Sequence, residues 1–202
     1  MPRLFSIKPT LVIRGRKFKG IRGWAGKPFH PPLTDFPIVA YFLAGTFDLI
    51  SYIAFKRNPE GTVARDFFIA ATHVIIAGGV VSTLTIVTGF WDWLKSAPKR
   101  TQAWRTANWH MAIMLTTTIL AAADILLRLA YWSTGYEQGA DLTLLILSLI
   151  VAGLVSFGSA YGGTMVYEYG FNVEQDFDHA YTESEVDKLY HQEIPPSDQG
   201  DD

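Results

Sequence analysis

Residues 67–94 read FFIAATHVIIAGGVVSTLTIVTGFWDWL, with one acid, Asp92, near the end and one histidine, His73, near the start. A bilayer's hydrocarbon core is about 30 Å thick, and a helix needs roughly 20 mostly apolar residues to cross it. This stretch exceeds that length, and three others share its character: 37–55, 107–132 and 142–166. Inside lipid every backbone N–H and C=O must be satisfied internally, which leaves helices or closed barrels. The apolar/polar alternation of a barrel strand is missing from all four. The expected fold is therefore all-α: a polytopic membrane protein, built as an antiparallel four-helix transmembrane bundle. Trp91, Trp93, Trp104, Trp109, Tyr131 and Trp132 cluster at span ends, where amphipathic rings favour the interface.

Charge supplies the orientation. The first 27 residues carry eight Lys/Arg and no acid, and the 95–106 loop adds Lys95, Lys99, Arg100 and Arg105. These twelve fall on one side, called side A. The opposite side B has Lys56, Arg57 and Arg65. Positive residues are retained in the cytoplasm, so both termini are expected there, in a bacterial plasma (inner) membrane. The chain divides into a basic cytoplasmic N-tail (1–36), a transmembrane domain (37–167) and an acidic cytoplasmic C-tail (168–202). The C-tail holds eleven acids and one Lys; Thr182 and Glu185 fit a capping box for a short helix through Tyr190, against a solvated tail with Pro195-Pro196. No cleavable leader is visible, because basic residues interrupt 1–28 throughout. Cysteine is absent, which excludes disulfides and thiolate chemistry. The basic N-tail beside a first span fits anionic lipid better than nucleic acid. Asp35 is placed to cap span 1, with Pro37 in its first turn.

Two spans carry small residues in a repeating step of four and three. Span 2 has Ala71, Ile75, Gly78, Ser82, Thr85, Gly89 and Asp92. Span 4 has Gly153, Ser156, Ala160, Gly163, Tyr167 and Gly170, with Gly158 and Gly162 forming a separate G-x-x-x-G. Small stripes let helices approach closely where no hydrophobic drive exists between them. Gly78, Gly89, Gly158, Gly162 and Gly163 are the candidate packing glycines.

Ionisable groups within spans are expensive and mark function by default. Asp48, His73 and Asp124 fall at a similar depth, ~10–12 Å from side B at 1.5 Å per residue, and Arg128 lies one turn beyond Asp124. Two readings fit: a buried hydrogen-bonded cluster in which Arg128 neutralises a carboxylate, or a proton or ion path using His73 as the neutral-pH titrating group. His110, Met114, Thr117, Ala121, Asp124 and Arg128 share one face of span 3, which must point inward and connects the two ends.

Side A gathers His30 and Asp35 before span 1, Asp92 and Trp93 ending span 2, His110 opening span 3, and Tyr167 and Glu168 ending span 4. The set His30-Pro31 with Phe36-Pro37, Phe47-Asp48, Gly89-Phe90-Trp91-Asp92-Trp93-Leu94, His110, and Gly162-Gly163 with Val166-Tyr167 and Gly170 resembles a family of small bacterial membrane proteins catalogued as a domain of unknown function. The resemblance covers roughly residues 26–175 and implies a four-helix membrane fold with no assigned activity.

His30, His110 and Asp92 are the candidate cofactor or metal ligands. A b-type haem between His30 and His110 needs two imidazoles facing each other at one depth; His73 and His110 lie near opposite sides and cannot pair. Soluble-enzyme motifs are absent: no P-loop, G-x-S-x-G, H-E-x-x-H or dinucleotide fingerprint. The first functional expectation is a non-enzymatic accessory or structural subunit of a bioenergetic or transport complex, held by partner membrane subunits or as a homo-oligomer. Its alternatives are a haem b electron-transfer protein and proton or ion transfer through the Asp48/His73/Asp124 set.

Overall fold

A computed structural model describes residues 20–21, 28–134 and 138–171. The rest of the N-tail and the acidic tail from 172, with the 182–190 helix, His179 and His191, lie outside the described residues. Four helices follow in order: α1 (His30–Arg57), α2 (Thr62–Ser96), α3 (Gln102–Ser133) and α4 (Leu142–Tyr167). All four are long and apolar enough to cross a membrane, and the described residues contain no strand.

The helices outrun their apolar stretches, α1 most of all. It begins at His30 rather than near residue 37, because Pro31 and Pro32 fill its first turn, where a missing N–H costs nothing. Asp35 therefore lies inside the helix and does not cap it. Pro37 is also internal, so the Leu33 carbonyl loses its usual donor. The Thr85 hydroxyl, on the neighbouring helix, lies 3.3 Å from that carbonyl and donates to it. Elsewhere the caps are conventional: Thr101 accepts from the Trp104 N–H at the start of α3, and Asp141 accepts from the Leu144 N–H at the start of α4.

Contacts at both ends fix the directions. Ser51 donates to the Ala64 carbonyl while His30 reaches Thr85, so α1 and α2 run antiparallel. Tyr131 bonds Asp141 while His110 bonds Gly158, so α3 and α4 do the same. Trp93 bonds Asn108 and Thr72 accepts from Arg128, which closes α2 on α3; the Ala140 N–H donates to Ser51, and Gly45 lies against the Ser148 carbonyl, which closes α4 on α1. The four helices form a ring with α1 and α3 on one diagonal. Tyr41, Ala44, Ile75, Ala121, Val151 and Val155 meet in the centre, from all four helices.

The ring has a hidden repeat. Buried positions of α1 reappear on α3 eighty residues later: Pro37 and Thr117, Tyr41 and Ala121, Ala44 and Asp124, Asp48 and Arg128. Buried positions of α2 reappear on α4 seventy-three residues later, among them Ile75 and Ser148, Ser82 and Val155, Thr85 and Gly158. The bundle is thus two like hairpins, α1–α2 and α3–α4, facing each other across an axis that runs along the bundle.

Packing corrects one stripe. On α2 the expected face points inward: a Cβ at Gly78 would lie 2.7 Å from the Ala40 Cβ. On α4 the face of Gly153, Ser156 and Tyr167 is exposed. A Cβ at Gly153 would meet nothing within 4 Å, and one at Gly163 only Tyr167 of its own helix, at 3.9 Å. The inward face of α4 is instead the one with Ser148, Val155, Gly158 and Tyr161, because Gly158 must lie under Met114 and beside His110.

Candidate functional site

Two polar layers sit inside the bundle, one near each side. At side A the repeat brings His30 and His110 to corresponding places, eighty residues apart like Asp48 and Arg128. Each imidazole is tied to the partner helix of its own hairpin. His30 Nδ1 lies 3.1 Å from the Thr85 carbonyl and 3.3 Å from the Thr88 hydroxyl. His110 Nδ1 lies 2.8 Å from the Gly158 carbonyl. A carbonyl can only accept, so Nδ1 is the protonated nitrogen in both rings and Nε2 carries the lone pair. Neither Nε2 has a hydrogen bond among the described residues.

The glycines explain how the rings reach those carbonyls. A helical carbonyl at position i points along the axis toward residue i+4, so a side chain from another helix must approach over that residue. Residue i+4 is Gly89 for Thr85 and Gly162 for Gly158. A Cβ at Gly89 would stand 2.6 Å from His30 Cε1, and one at Gly162 would stand 3.3 Å from His110 Cε1. Each hairpin therefore repeats one device: a histidine, a carbonyl on the partner helix, and a glycine one turn on. The two imidazoles are also electrostatic neighbours.

Asp92 does not join them. Its Oδ1 accepts the Ile21 N–H at 3.1 Å, and the Ile21 carbonyl accepts the Phe29 N–H at 3.0 Å. Its work is to anchor the chain that leads into α1. No group of three or more His, Cys, Asp or Glu among the described residues is arranged to hold a metal ion. Among the described residues the side A pair offers two nitrogen donors and no third protein ligand.

The side B layer centres on Arg128, whose side chain is fully buried together with that of Asp48. Arg128 Nε donates to Asp124 Oδ1 at 2.8 Å. One terminal nitrogen donates to Asp48 Oδ1 and to the Thr72 hydroxyl, both at 3.2 Å, and the other donates to Asp48 Oδ2. The guanidinium also lies over the Phe68 ring, 5.6 Å from its centre, and Ser148 borders the Asp48 carboxylate. His73 is absent from this group. It is exposed, its Nδ1 bonds the Ile69 carbonyl one turn back at 2.8 Å, and its ring meets Trp132 edge-on. Depth along the axis puts His73 level with Asp48, but one residue of helical rotation gives the inward position to Thr72. Thr72 is the functional residue missing from the expected α2 stripe, although it lies beside Ala71 and one turn before Ile75 on the same face.

Nothing among curated proteins or solved structures matches the chain. A family model described as "Predicted membrane protein (DUF2231)" matches residues 26–175, which spans all four helices and both polar layers. The chain belongs to that family of predicted membrane proteins, a domain of unknown function.

Proposed function

We propose that the protein binds one b-type haem between His30 and His110 and acts as a one-electron carrier in the membrane. The observation that carries this reading is the pair of matched imidazoles, each with Nδ1–H held by a backbone carbonyl and Nε2 left free. Iron-binding histidines are oriented in this way, by an acceptor that holds the N–H of the other ring nitrogen. A mononuclear metal site needs three or four protein ligands, whereas a porphyrin supplies four and asks for two. Held by His30 and His110, the haem would supply one-electron redox chemistry rather than ligand binding. Lys95 at the end of α2, Lys99 and Arg100 in the connection, and Arg105 at the start of α3 would supply positive charge for its carboxylates.

Purified full-length protein, expressed with haem precursor supplied, should show a Soret band and a sharp α-band on dithionite reduction. His30→Ala and His110→Ala should each remove the low-spin spectrum while helix content by circular dichroism stays unchanged. A colourless preparation of folded protein refutes the reading, as does an unaltered spectrum in either variant.

Side A is assigned to the cytoplasm of a bacterial inner membrane on the twelve-to-three charge bias. Service as a subunit of a larger complex draws on a separate observation, the exposed small residues Gly153 and Ser156 on α4, which suit close approach by another helix. Crosslinking from Ser156→Cys in native membranes tests it; a chain that stays monomeric and uncrosslinked counts against it.

A further inference from the structure

We propose that the Asp124–Arg128–Asp48 cluster is a proton-binding site that holds one exchangeable proton on Asp124 Oδ2. The inference is independent of the haem reading, since the two layers lie near opposite sides.

Charge balance comes first. The repeat pairs Asp48 with Arg128, and these two alone would be neutral. Asp124 stands where α1 has Ala44, so it is an addition that the ion pair does not need for balance. With both acids ionised the cluster would hold a net negative charge in the hydrocarbon region, where isolated charge is least tolerated.

Hydrogen bonding then locates the proton. Both Asp48 oxygens and Asp124 Oδ1 receive donors from Arg128. Asp124 Oδ2 is buried and has no hydrogen-bond partner among the described residues. A carboxylate oxygen without a donor is strongly disfavoured at such a place. As a carboxylic acid, Asp124 keeps its carbonyl oxygen as acceptor for Arg128 Nε and puts the hydroxyl on the oxygen that lacks a donor. The step is proton uptake by the carboxylate, with no other bond made or broken.

The neighbours leave Asp124 as the group that titrates. α1 presents Asp48. α3 presents Arg128 and, two turns beyond Asp124, Tyr131, whose hydroxyl donates to Asp141 Oδ2. Asp141, at the start of α4, is satisfied through both oxygens, taking Tyr131 and the Leu144 N–H. α2 presents Thr72, and His73 of that helix is turned outward onto Trp132. A metal cation is a poorer fit than a proton, because hard cations take about six oxygens and this cluster offers one free. A small apolar cleft bordered by Phe68, Ile69, Thr72, Arg128 and Trp132 flanks the cluster on the outside of the bundle.

The test is infrared spectroscopy on the purified full-length protein, with and without ¹³C-labelled aspartate. At neutral pH the wild type should show the carbonyl stretch of a protonated carboxylic acid, shifted by the label and by exchange into heavy water. Asp124→Asn should remove it. Asp48→Asn should remove it too, because Asp124 and Arg128 then balance as ions, and this variant keeps the test alive if Asp124→Asn does not fold. A wild type without the band overturns the proposal, and so does a band that survives either substitution.

Discussion

Replacing Arg128 with methionine removes the cation that bridges Asp48 and Asp124 while preserving most of its aliphatic stem. The variant loses the donors to Asp48, Asp124 and Thr72 together. Asp48 is then a fully buried carboxylate with no cation, and folding forces it to take up a proton. A carboxyl with the ordinary aspartate pKa near ~3.9 in the unfolded chain takes that proton at about 1.36 kcal/mol per pH unit, or about 4 kcal/mol at pH 7. This agrees with the roughly 3–5 kcal/mol seen when one partner of a buried pair is deleted. The sign follows from proton counting: the folded variant binds one more proton than the folded wild type, so its loss of stability relative to wild type grows as pH rises. At pH 5 the same loss should shrink to about 1.5 kcal/mol. Unfolding titrations in mixed micelles, followed by circular dichroism at the two pH values, give both numbers. The double variant Asp48→Asn/Arg128→Met should recover most of the loss, because no charge remains to be compensated. A loss below about 1 kcal/mol at pH 7, or an equal loss at both pH values, would refute the reasoning and point to packing alone.

Three further outcomes can be checked by the same unfolding assay or by spectrum. Ser51→Ala deletes a hydroxyl that donates to the Ala64 carbonyl at 2.6 Å and accepts the Ala140 N–H at 2.9 Å; it should lower stability by about 1–3 kcal/mol, because the buried Ala140 N–H loses its acceptor while the Ala64 carbonyl keeps its helical donor. Gly78→Ala, with the Ala40 Cβ 2.7 Å away, should destabilise by about 1–3 kcal/mol through overpacking, whereas Gly163→Ala should be neutral. Gly89→Val should push the His30 ring off the Thr85 carbonyl and weaken or broaden the haem spectrum, leaving helix content unchanged.

Span number, span order and side A/side B grouping are all legible in the residues, since length and charge in lipid leave few alternatives. Rotation about each helix axis is much less so. A membrane helix is apolar on every side, so polarity does not announce the inward face as it does in water. His73 shows the consequence: its depth matches Asp48, yet it faces out, and only its offset from the Ala71–Ile75–Gly78 stripe marks it as off the inner face. The Gly153–Ser156–Gly163 stripe on α4 fails for the same reason, because small residues suit a partner helix outside the bundle as well as one within it. The start of α1 is misjudged by hydropathy, because Pro31 and Pro32 are good first-turn residues that carry the helix beyond its apolar part. The eighty-residue spacing of His30 with His110, and of Asp48 with Arg128, is visible in the sequence, but unlike residues occupy most matching positions and hide it.

The two-hairpin repeat also bears on how the chain enters the membrane. Each unit is an even number of spans, so both begin and end on the same side. One orientation signal therefore serves both halves, and neither has to be inserted upside down relative to the other. A single hairpin of this kind, inserted alone, would already carry half of each polar layer; two parallel copies meeting face to face would restore the histidine pair at side A, whereas the ion pair at side B needs the unlike residues of the two halves.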